Sequence, residues 1–174
     1  RGDVMNDSVV ALDAEAKALE APADHKDELR LWLRLLTCAN LVEATVRRRL
    51  RDSFDETLPR FDLMAQLDRA PDGMTLSELA QRMMVSNGNL TALVERLVEV
   101  GHLTRAPSPS DRRAQIVALT PGGRRAFRKM AGAHEDWIAD MMSGLNAKDQ
   151  ADLMRALGKL KSSTRRAAEK DSGT

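Results

Sequence analysis

The sequence contains no tyrosine, two tryptophans and three phenylalanines, so aromatic residues make up only 3% of its 174 residues. This scarcity argues against antibody-like β-sandwiches and against stacking platforms for single-stranded nucleic acid, because both depend on aromatic rings. The single cysteine, Cys38, excludes an internal disulfide, and no second thiol gives the spacing of a zinc site. No apolar run approaches the roughly 18 to 20 residues that span a bilayer. We therefore expect a cytoplasmic protein without a membrane partner.

Catalytic motifs are also missing. The three histidines, His25, His102 and His134, lie far apart and do not form an HExxH pattern. The sequence has no glycine-rich phosphate loop and no Gly-x-Ser-x-Gly nucleophile elbow. The segment His134-Glu135-Asp136 could hold a metal weakly, but a solvated helix face is the favoured interpretation. We therefore expect no enzyme activity, no cofactor and no metal.

The formal net charge of +1 is an average over unequal segments. Residues 1–30 carry four basic and eight acidic side chains, whereas residues 101–130 carry seven basic side chains and one acidic side chain. Arginine outnumbers lysine by 20 to 7, and its planar guanidinium suits phosphates and guanine edges. A charge run is more often a solvated face than a binding surface. The asymmetry nevertheless raises the expectation of a nucleic-acid partner.

Apolar residues recur at helical spacing from Lys26 to about Arg51 without an intervening glycine or proline, which predicts one long helix. Pro59 marks the start of a second helix, which ends at Pro71-Asp72-Gly73. The Ala- and Glu-rich segment before Lys26 lacks this periodicity, so we expect a flexible acidic arm there.

Two further helices are expected in close succession. Thr75 and Glu78 have the spacing of a capping box, which predicts the start of a short helix. Ser86 is expected to cap the next helix, which Gly101 ends. The inward positions of that second helix are predicted to be Leu90, Val94 and Leu97.

After Gly101 the pattern changes from helical spacing to alternation. Residues 102–105 and 114–119 are predicted to form two short strands, joined by a turn-rich basic tip. Thr120-Pro121 begins another long helix to about residue 143. Asn146 is expected to cap a last helix, whose polar tail is expected to fray from about Ser162.

A short helix, a tight turn, a capped helix and a basic hairpin are the parts of a winged helix-turn-helix, whose second helix enters the major groove of DNA. Polar side chains at the start of that helix can reach base edges, and the helix N-terminus favours a phosphate. Arginines at the hairpin tip suit a narrow minor groove. Taken alone, the cap and the hairpin would be ordinary surface features, but their order favours DNA binding. The predicted contacts are Ser86, Asn87, Asn89, Thr91, Arg96, Arg112 and Arg113.

Residues 58–64, 75–80 and 86–94 resemble the MarR family of bacterial winged-helix transcriptional regulators. The most specific stretch, residues 110–123, is similar to the family's wing signature, an Asp-x-Arg followed by a strand ending in Leu-Thr. The resemblance covers about residues 26–165. It implies a homodimer with interleaved terminal helices, in which both winged domains face one DNA duplex. It also implies that Arg113 enters the minor groove and that Asp111 orients the wing by pairing with a neighbouring arginine.

The apolar pattern agrees with a dimer. The helix at 26–51 and the helices after Thr120 have more apolar surface than one compact winged domain can cover. Two-fold symmetry would place the recognition helices roughly 34 Å apart, which predicts a pseudo-palindromic operator. We therefore expect a mainly α-helical protein with a small β-hairpin, made of a winged helix-turn-helix domain and long N- and C-terminal dimerisation helices. The predicted arm, N-terminal helix, winged region, C-terminal helices and frayed tail are residues 1–25, 26–57, 58–120, 121–165 and 166–174.

Members of this family commonly bind small anionic aromatic compounds, sometimes as CoA thioesters, in a crevice between the dimer helices and the winged domain. The resemblance therefore implies a repressor that an aromatic acid or its acyl-CoA form releases from DNA. An apolar wall with one or two arginines would suit such an effector. Ordinary core residues with surface arginines are an equally good interpretation of the same set. The candidates are Trp32, Arg34, Leu36, Arg60, Phe61 and Met64.

Two alternatives stay open. Cys38 could be an oxidation sensor, as in the peroxide-sensing branch of the family, but that branch relies on tyrosine hydroxyls that this sequence lacks. A buried and inert cysteine is therefore expected. A winged helix can also be a protein-interaction module, although a DNA-binding dimer must lose affinity steeply with added salt.

Replacing Arg113 by alanine tests the minor-groove contact. We expect Arg113→Ala to weaken specific DNA binding strongly and to leave dimerisation intact, because a side chain at the wing tip lies outside the dimer helices. Gel-shift titration and sedimentation measure the two properties separately. Equal DNA affinity in the wild type and the variant would show that the wing is not a DNA contact.

Overall fold

The computed structural model describes residues 26–109 and 114–171. The elements in these residues are α1 (Lys26–Phe54), α2 (Leu58–Asp68), β1 (Met74–Thr75), α3 (Leu76–Met83), α4 (Asn87–Glu99), β2 (Leu103–Pro107), β3 (Gln115–Leu119), α5 (Pro121–Met141) and α6 (Ala147–Asp171). The chain divides into two units, one ending at Glu135 and the other beginning at Asp136. This mainly helical architecture with a small antiparallel sheet confirms the fold class expected from the sequence.

Helix α1 ends at Phe54, three residues beyond the predicted end. The next residue, Asp55, has a positive φ of 51°, and its backbone N–H donates to the carbonyl of Arg51 at 3.0 Å. Glycine usually takes this left-handed position after a helix, but aspartate is among the few other residues that tolerate it. Because no glycine marks the end of α1, the sequence pattern does not locate it.

Helices α3 and α4 begin at the predicted caps. The Thr75 hydroxyl accepts a hydrogen bond from the Glu78 N–H at 3.2 Å, and the Glu78 carboxylate accepts one from the Thr75 N–H at 2.9 Å. The Ser86 hydroxyl accepts a hydrogen bond from the Asn89 N–H at 3.3 Å. Between the two helices Met84 adopts a left-handed conformation with φ 53°. The helix-turn-helix predicted from the capping pattern is therefore confirmed.

The sheet has three antiparallel strands, with β3 in the centre between β1 and β2. In the register of the sheet Met74 pairs with Val117, which also pairs with Arg105 of β2. Strand β1 was not expected from the sequence, because two residues are too few to show an alternating pattern. Thr75 belongs to this strand and also caps α3.

An apolar core joins the end of α1 to α2, α3, α4 and the sheet. Helix α4 contributes one complete face to it, which confirms the inward positions predicted from the 3.6-residue period. Each fully buried side chain of this size contributes about 1.5–3 kcal/mol of transfer free energy. The largest fully buried residues are Leu50, Leu63, Met64, Leu67, Leu79, Leu90, Val94, Leu97 and Val117.

The start of α5 is fixed against the beginning of β2. The Thr120 hydroxyl donates to the carbonyl of Gly101 at 2.7 Å and accepts from the Gly123 N–H at 2.8 Å. A Cβ atom on Gly123 would overlap the carbonyl oxygen of His102, the residue before β2, so the helix approaches the backbone there too closely for any side chain. Further along α5, Phe127 is buried. The first part of α5 therefore packs against the winged region.

Helix α6 continues to Asp171, although the sequence predicts fraying from about Ser162. The hydroxyls of Ser162 and Ser163 donate to the carbonyls of Gly158 and Leu160 at 3.1 and 3.3 Å, so these polar residues bond within the helix. The two alanines that follow Arg166 also favour a helix. The predicted N-terminal arm at 1–25 lies outside the described residues.

Two adjacent glycines of α5 provide a matched test of the close approach to His102. We expect Gly123→Ala to lower the free energy of unfolding by about 1–3 kcal/mol, because the methyl group forces the backbone of α5 away from β2. Gly122→Ala should be neutral or stabilising by up to about 1 kcal/mol, since its Cβ would lie 3.6 Å from the Thr120 hydroxyl and alanine favours the helix. Chemical denaturation measures both. Equal stability of the two variants would contradict the close approach.

Candidate nucleic-acid interface

The first turn of α4 is presented to solvent. Ser86, Asn87, Gly88 and Asn89 are all exposed, whereas Leu90 behind them is fully buried. The ideal Cβ position of Gly88 has no neighbouring atom within 4 Å, so nothing in the described residues covers this turn. A helix end that is open to solvent and anchored from behind has the geometry that groove readout requires.

The four polar residues predicted at this helix end divide into two pairs. The Ser86 hydroxyl caps the helix, and the Thr91 hydroxyl donates to the carbonyl of Asn87 at 2.8 Å. The side-chain amides of Asn87 and Asn89 make no hydrogen bond to any residue within 26–109 or 114–171. The two asparagines are therefore available to a partner, while Ser86 and Thr91 shape the helix end.

Helix α3 is the first helix of the helix-turn-helix, and a capping box of Thr75 and Glu78 fixes its start. The hydrogen bonds from the backbone and side chain of Thr75 lower the pKa of Glu78 below its ordinary value. In the last turn of the same helix, Arg82 is exposed. The first helix of a helix-turn-helix crosses the DNA backbone, so Arg82 is a candidate phosphate contact that the sequence analysis did not include. The feature of the sequence that could have identified Arg82 is a basic residue just before the turn of the helix-turn-helix.

Arg96 lies in a different place from the other predicted contacts. It is nine residues beyond Asn87, which puts it about 14 Å further along the helix axis. Its guanidinium forms an ion pair with Glu99 at 3.0 Å, and it lines a cavity near the C-terminal end of α4. Arg96 is therefore not grouped with Asn87 and Asn89 at one helix end.

The wing is described only at its base. Residues 110–113 lie outside the described residues, so Asp111, Arg112 and Arg113 have no assigned position. The Ser108 N–H donates to the carbonyl of Ala114 at 2.9 Å, which brings the two sides of the hairpin together below the tip. On β2 the four residues after Leu103 are exposed, Arg105 among them.

The six predicted effector residues do not form one cluster within the described chain. Phe61 and Met64 belong to the core, with 6% and 0% of their surfaces exposed. Trp32 is 54% exposed on the N-terminal half of α1. The α1 candidates all lie on its N-terminal half, whereas Arg60 lies on α2, just after the C-terminal end of α1. Most of the length of α1 therefore separates the α1 candidates from Arg60. Arg51 lies near the end of α1 and lines the same cavity as Arg60. The distance from Arg34 to Arg51 along the axis of α1 is about 25 Å.

The structure corrects the expectation for Cys38, which is exposed and not buried. Its neighbour Thr37 takes the buried position on α1, and adjacent residues are 100° apart around a helix.

His134 packs its ring against Phe61 with the centroids 5.1 Å apart. Burial raises the pKa of the nearby Asp62 carboxyl, which the positive charge of His134 partly offsets.

Neither a metal centre nor a membrane span is found in the described part of the chain. No group of three or more His, Cys, Asp or Glu side chains there is placed to hold a metal ion. No helix within residues 26–109 and 114–171 is long and apolar enough to cross a bilayer.

The fold and the exposed helix end define a winged helix-turn-helix protein of the DNA-binding class. A profile of the MarR family matches residues 55–114. The transcriptional activatory protein BadR from Rhodopseudomonas palustris is 35% identical over 118 residues, which are 66% of this chain and 67% of BadR. The regulator PecS from Dickeya dadantii is 29% identical over 102 residues, which are 58% of this chain and 61% of PecS.

Solved structures of MarR family proteins have the same fold as this chain. A MarR family transcriptional regulator from Silicibacter pomeroyi superposes with a TM-score of 0.70 at 30% identity, covering 82% of this chain and 99% of that protein. A mutant MarR from E. coli complexed with operator DNA gives a TM-score of 0.67 at 26% identity, covering 79% and 99%. The chain belongs to the MarR family. It is a DNA-binding transcription regulator, and the relatives named here are all transcription regulators.

Proposed function

We propose that the protein binds a pseudo-palindromic operator as a homodimer, with the first turn of α4 from each chain in the major groove. The observation that carries this proposal is the presentation of Asn87 and Asn89 on an exposed helix end whose opposite face is buried. Asparagine can donate to and accept from adenine at the same time. The E. coli MarR relative solved with operator DNA supports the same use of the fold.

Exposed apolar residues on the two long helices support the dimer. On α1 the exposed fraction of Leu31 is 64%, and on α6 that of Met154 is 72%. None of residues 147–170 of α6 is buried. Long helices with exposed apolar residues are typical of an interface that a second chain covers. The remaining large exposed apolar residues of α1 and α6 are Leu29, Trp32, Leu41, Leu153 and Leu160.

The proposed regulator is a repressor that a small-molecule effector, an aromatic acid or its CoA thioester, releases from DNA. Because Trp32, Arg34 and Leu36 lie far along α1 from Arg60, a single effector crevice with these residues needs a second chain to complete it. Such an effector acts only through a difference in its affinity for the two conformations, typically 1–3 kcal/mol. The relative BadR is named as an activatory protein, which makes activation the alternative direction of control.

Selection of binding sites from random duplex DNA tests the role of Asn89. We expect the wild type to select a two-fold symmetric site, and Asn89→Ala to lose about 1–3 kcal/mol of preference at one base pair per half-site. The affinity of the variant for unrelated duplex DNA should be unchanged, which serves as the control for folding. An unchanged selected sequence would exclude Asn89 as a base contact.

Sedimentation at micromolar concentration tests the dimer. We expect the wild type to be a dimer, and Leu31→Glu to dissociate at least about tenfold more readily, because a carboxylate is costly to bury in an apolar interface. Met84→Glu introduces the same side chain at a residue that is 92% exposed outside the long helices, and it should remain dimeric. A monomeric wild type would contradict the proposal.

Two alternatives give different results in the same binding assay. A protein-interaction module would show DNA affinity that does not fall steeply with added salt, whereas counterion release makes operator binding strongly salt-dependent. The exposure of Cys38 keeps a thiol sensor as a second candidate. Loss of DNA affinity on treatment with hydroperoxide in the wild type, but not in Cys38→Ser, would favour that sensor over a ligand-gated repressor.

A further inference from the structure

An ion pair joins the end of α2 to the first turn of α5. The Nη1 atom of Arg124 donates to the Asp68 carboxylate at 2.9 Å and to the Asp68 backbone carbonyl at 3.3 Å. The side chains of Arg124 and Asp68 are 27% and 29% exposed, so most of the pair is withdrawn from water. Charge-assisted hydrogen bonds of this kind are stronger than neutral ones and fix the geometry of the groups they join.

The helix that carries Asp68 gains nothing from its charge. Asp68 is the last residue of α2, at the negative end of the helix dipole, where a carboxylate is unfavourable. The last turn of α2 contains no basic side chain to offset this charge. Arg124 supplies the cation from another helix, and it also donates to a carbonyl at the helix end, where α2 itself offers no donor. The partner on α5 therefore accounts for the carboxylate, whereas helix formation does not.

Helix α2 meets α5 at two places of different chemistry. Near the start of α2 the ring of Phe61 packs against Phe127 and His134, with the centroids 5.5 and 5.1 Å apart. At the other end of α2, Asp68 is held by Arg124. Apolar contact is non-directional, so the aromatic packing by itself does not set the angle between the two helices. The ion pair adds the directional contact that sets it.

The ion pair also closes a ring of chain at the start of the helix-turn-helix. From Asp68 the chain turns through Gly73, with φ 83°, into β1, which pairs with β3. From β3 the chain passes Thr120 and enters α5, which leads back to Arg124. Thr75 belongs to β1 and is also the cap of α3. The start of α3 is therefore held by strand pairing on one side of this ring and by the ion pair on the other.

We propose that Arg124 is a positioning residue for operator binding, and that it sets the angle between the helix-turn-helix and α5 by holding Asp68. This role rests on the two-fold operator complex proposed above. In that complex both copies of α4 enter their major grooves simultaneously, so each helix-turn-helix needs a defined direction. A single half-site makes no such demand, because only one copy of α4 has to fit. Arg124 acts through Asp68 and not through a contact with DNA.

Binding to three labelled duplexes tests this role: the selected two-fold site, the same site with one half-site scrambled, and an unrelated sequence. We expect Arg124→Gln in the full chain to lower affinity for the two-fold site at least about tenfold and for the half-site duplex less than about twofold, because avidity requires simultaneous engagement. Arg124→Lys should recover part of the loss, since an ammonium keeps the charge without the planar fork. Arg125→Gln removes the same charge from the exposed neighbouring residue and should leave the ratio of the two affinities unchanged.

Asp68→Ala separates positioning from a general effect of charge. This variant is more basic than the wild type, so electrostatic attraction alone would tighten its binding to every duplex. We expect instead a loss on the two-fold site similar to that of Arg124→Gln. The double variant should lose no more than either single variant, because each substitution removes the same contact. Thermal unfolding and sedimentation verify that each variant is folded and dimeric.

Duplexes with base pairs inserted between the half-sites add a readout that a loss of stability does not change. We expect the wild type to prefer one spacing sharply, since the two copies of α4 must meet the grooves one helical turn apart. Arg124→Gln should bind the neighbouring spacings more nearly equally, because the angle of each helix-turn-helix is no longer fixed.

The outcomes separate this role from the proposed function. A wild-type ratio of two-fold to half-site affinity in Arg124→Gln would overturn the role of Arg124 and leave the operator complex standing. Equal losses on all three duplexes would also overturn it, because they would identify a phosphate contact or a folding defect. A wild type that binds the two-fold site no better than the half-site duplex would contradict the operator complex and this role with it. Loss confined to the two-fold site in Arg124→Gln and Asp68→Ala, with retention in Arg125→Gln, would support the role.

Discussion

The burial of one face of α4 is the constraint on which the DNA-binding surface depends. Leu90, Val94 and Leu97 are each fully buried, one turn apart, so α4 cannot roll without exposing all three. This row fixes which residues of the first turn point outwards. The direction of the two asparagine side chains is therefore a consequence of leucine and valine packing on the opposite side of the helix.

The hydroxyl of Thr120 ties this helix to the rest of the chain. It donates to the carbonyl of Gly101, just after α4, and accepts from the N–H of Gly123 in the first turn of α5. The absence of a side chain on Gly123 lets α5 approach the backbone of His102. A displacement of the start of α5 would therefore disturb the contacts with Gly101, at the end of α4, and with His102, at the beginning of the wing. The contacts supply a physical route between these elements, although a ligand would still need different affinities for two arrangements.

The sequence predicted those features that short-range chemistry determines. Thr75 with Glu78 and Ser86 with Asn89 are caps within three residues, so their spacing alone identifies the starts of α3 and α4. It did not predict β1, whose two residues acquire their structure only by pairing with Val117 and Ile116. Local patterns cannot report a pairing between segments that lie about 40 residues apart.

The candidate sites also divide into features that a local sequence pattern predicts and features that depend on segments far apart in the chain. The first turn of α4 could be predicted because its exposed and buried positions follow one helical period. The effector set was harder to predict, because an apolar period indicates that Phe61 and Met64 are covered, but not whether protein or ligand covers them. Within one chain the six candidates are divided between α1 and α2. The cavity that Arg96 lines could not be predicted from the sequence, since it combines residues near 51–60 with residues near 96–102.

Strand β2 forms one edge of the sheet, and four of its five residues are exposed. An exposed edge strand offers unpaired backbone groups on which another chain could add a strand and start aggregation. In β2 the charge of Arg105, the missing N–H of Pro107 and the short length all oppose such addition. The strand that leads into the wing can thus be exposed at the edge of the sheet without favouring edge-to-edge association with another chain.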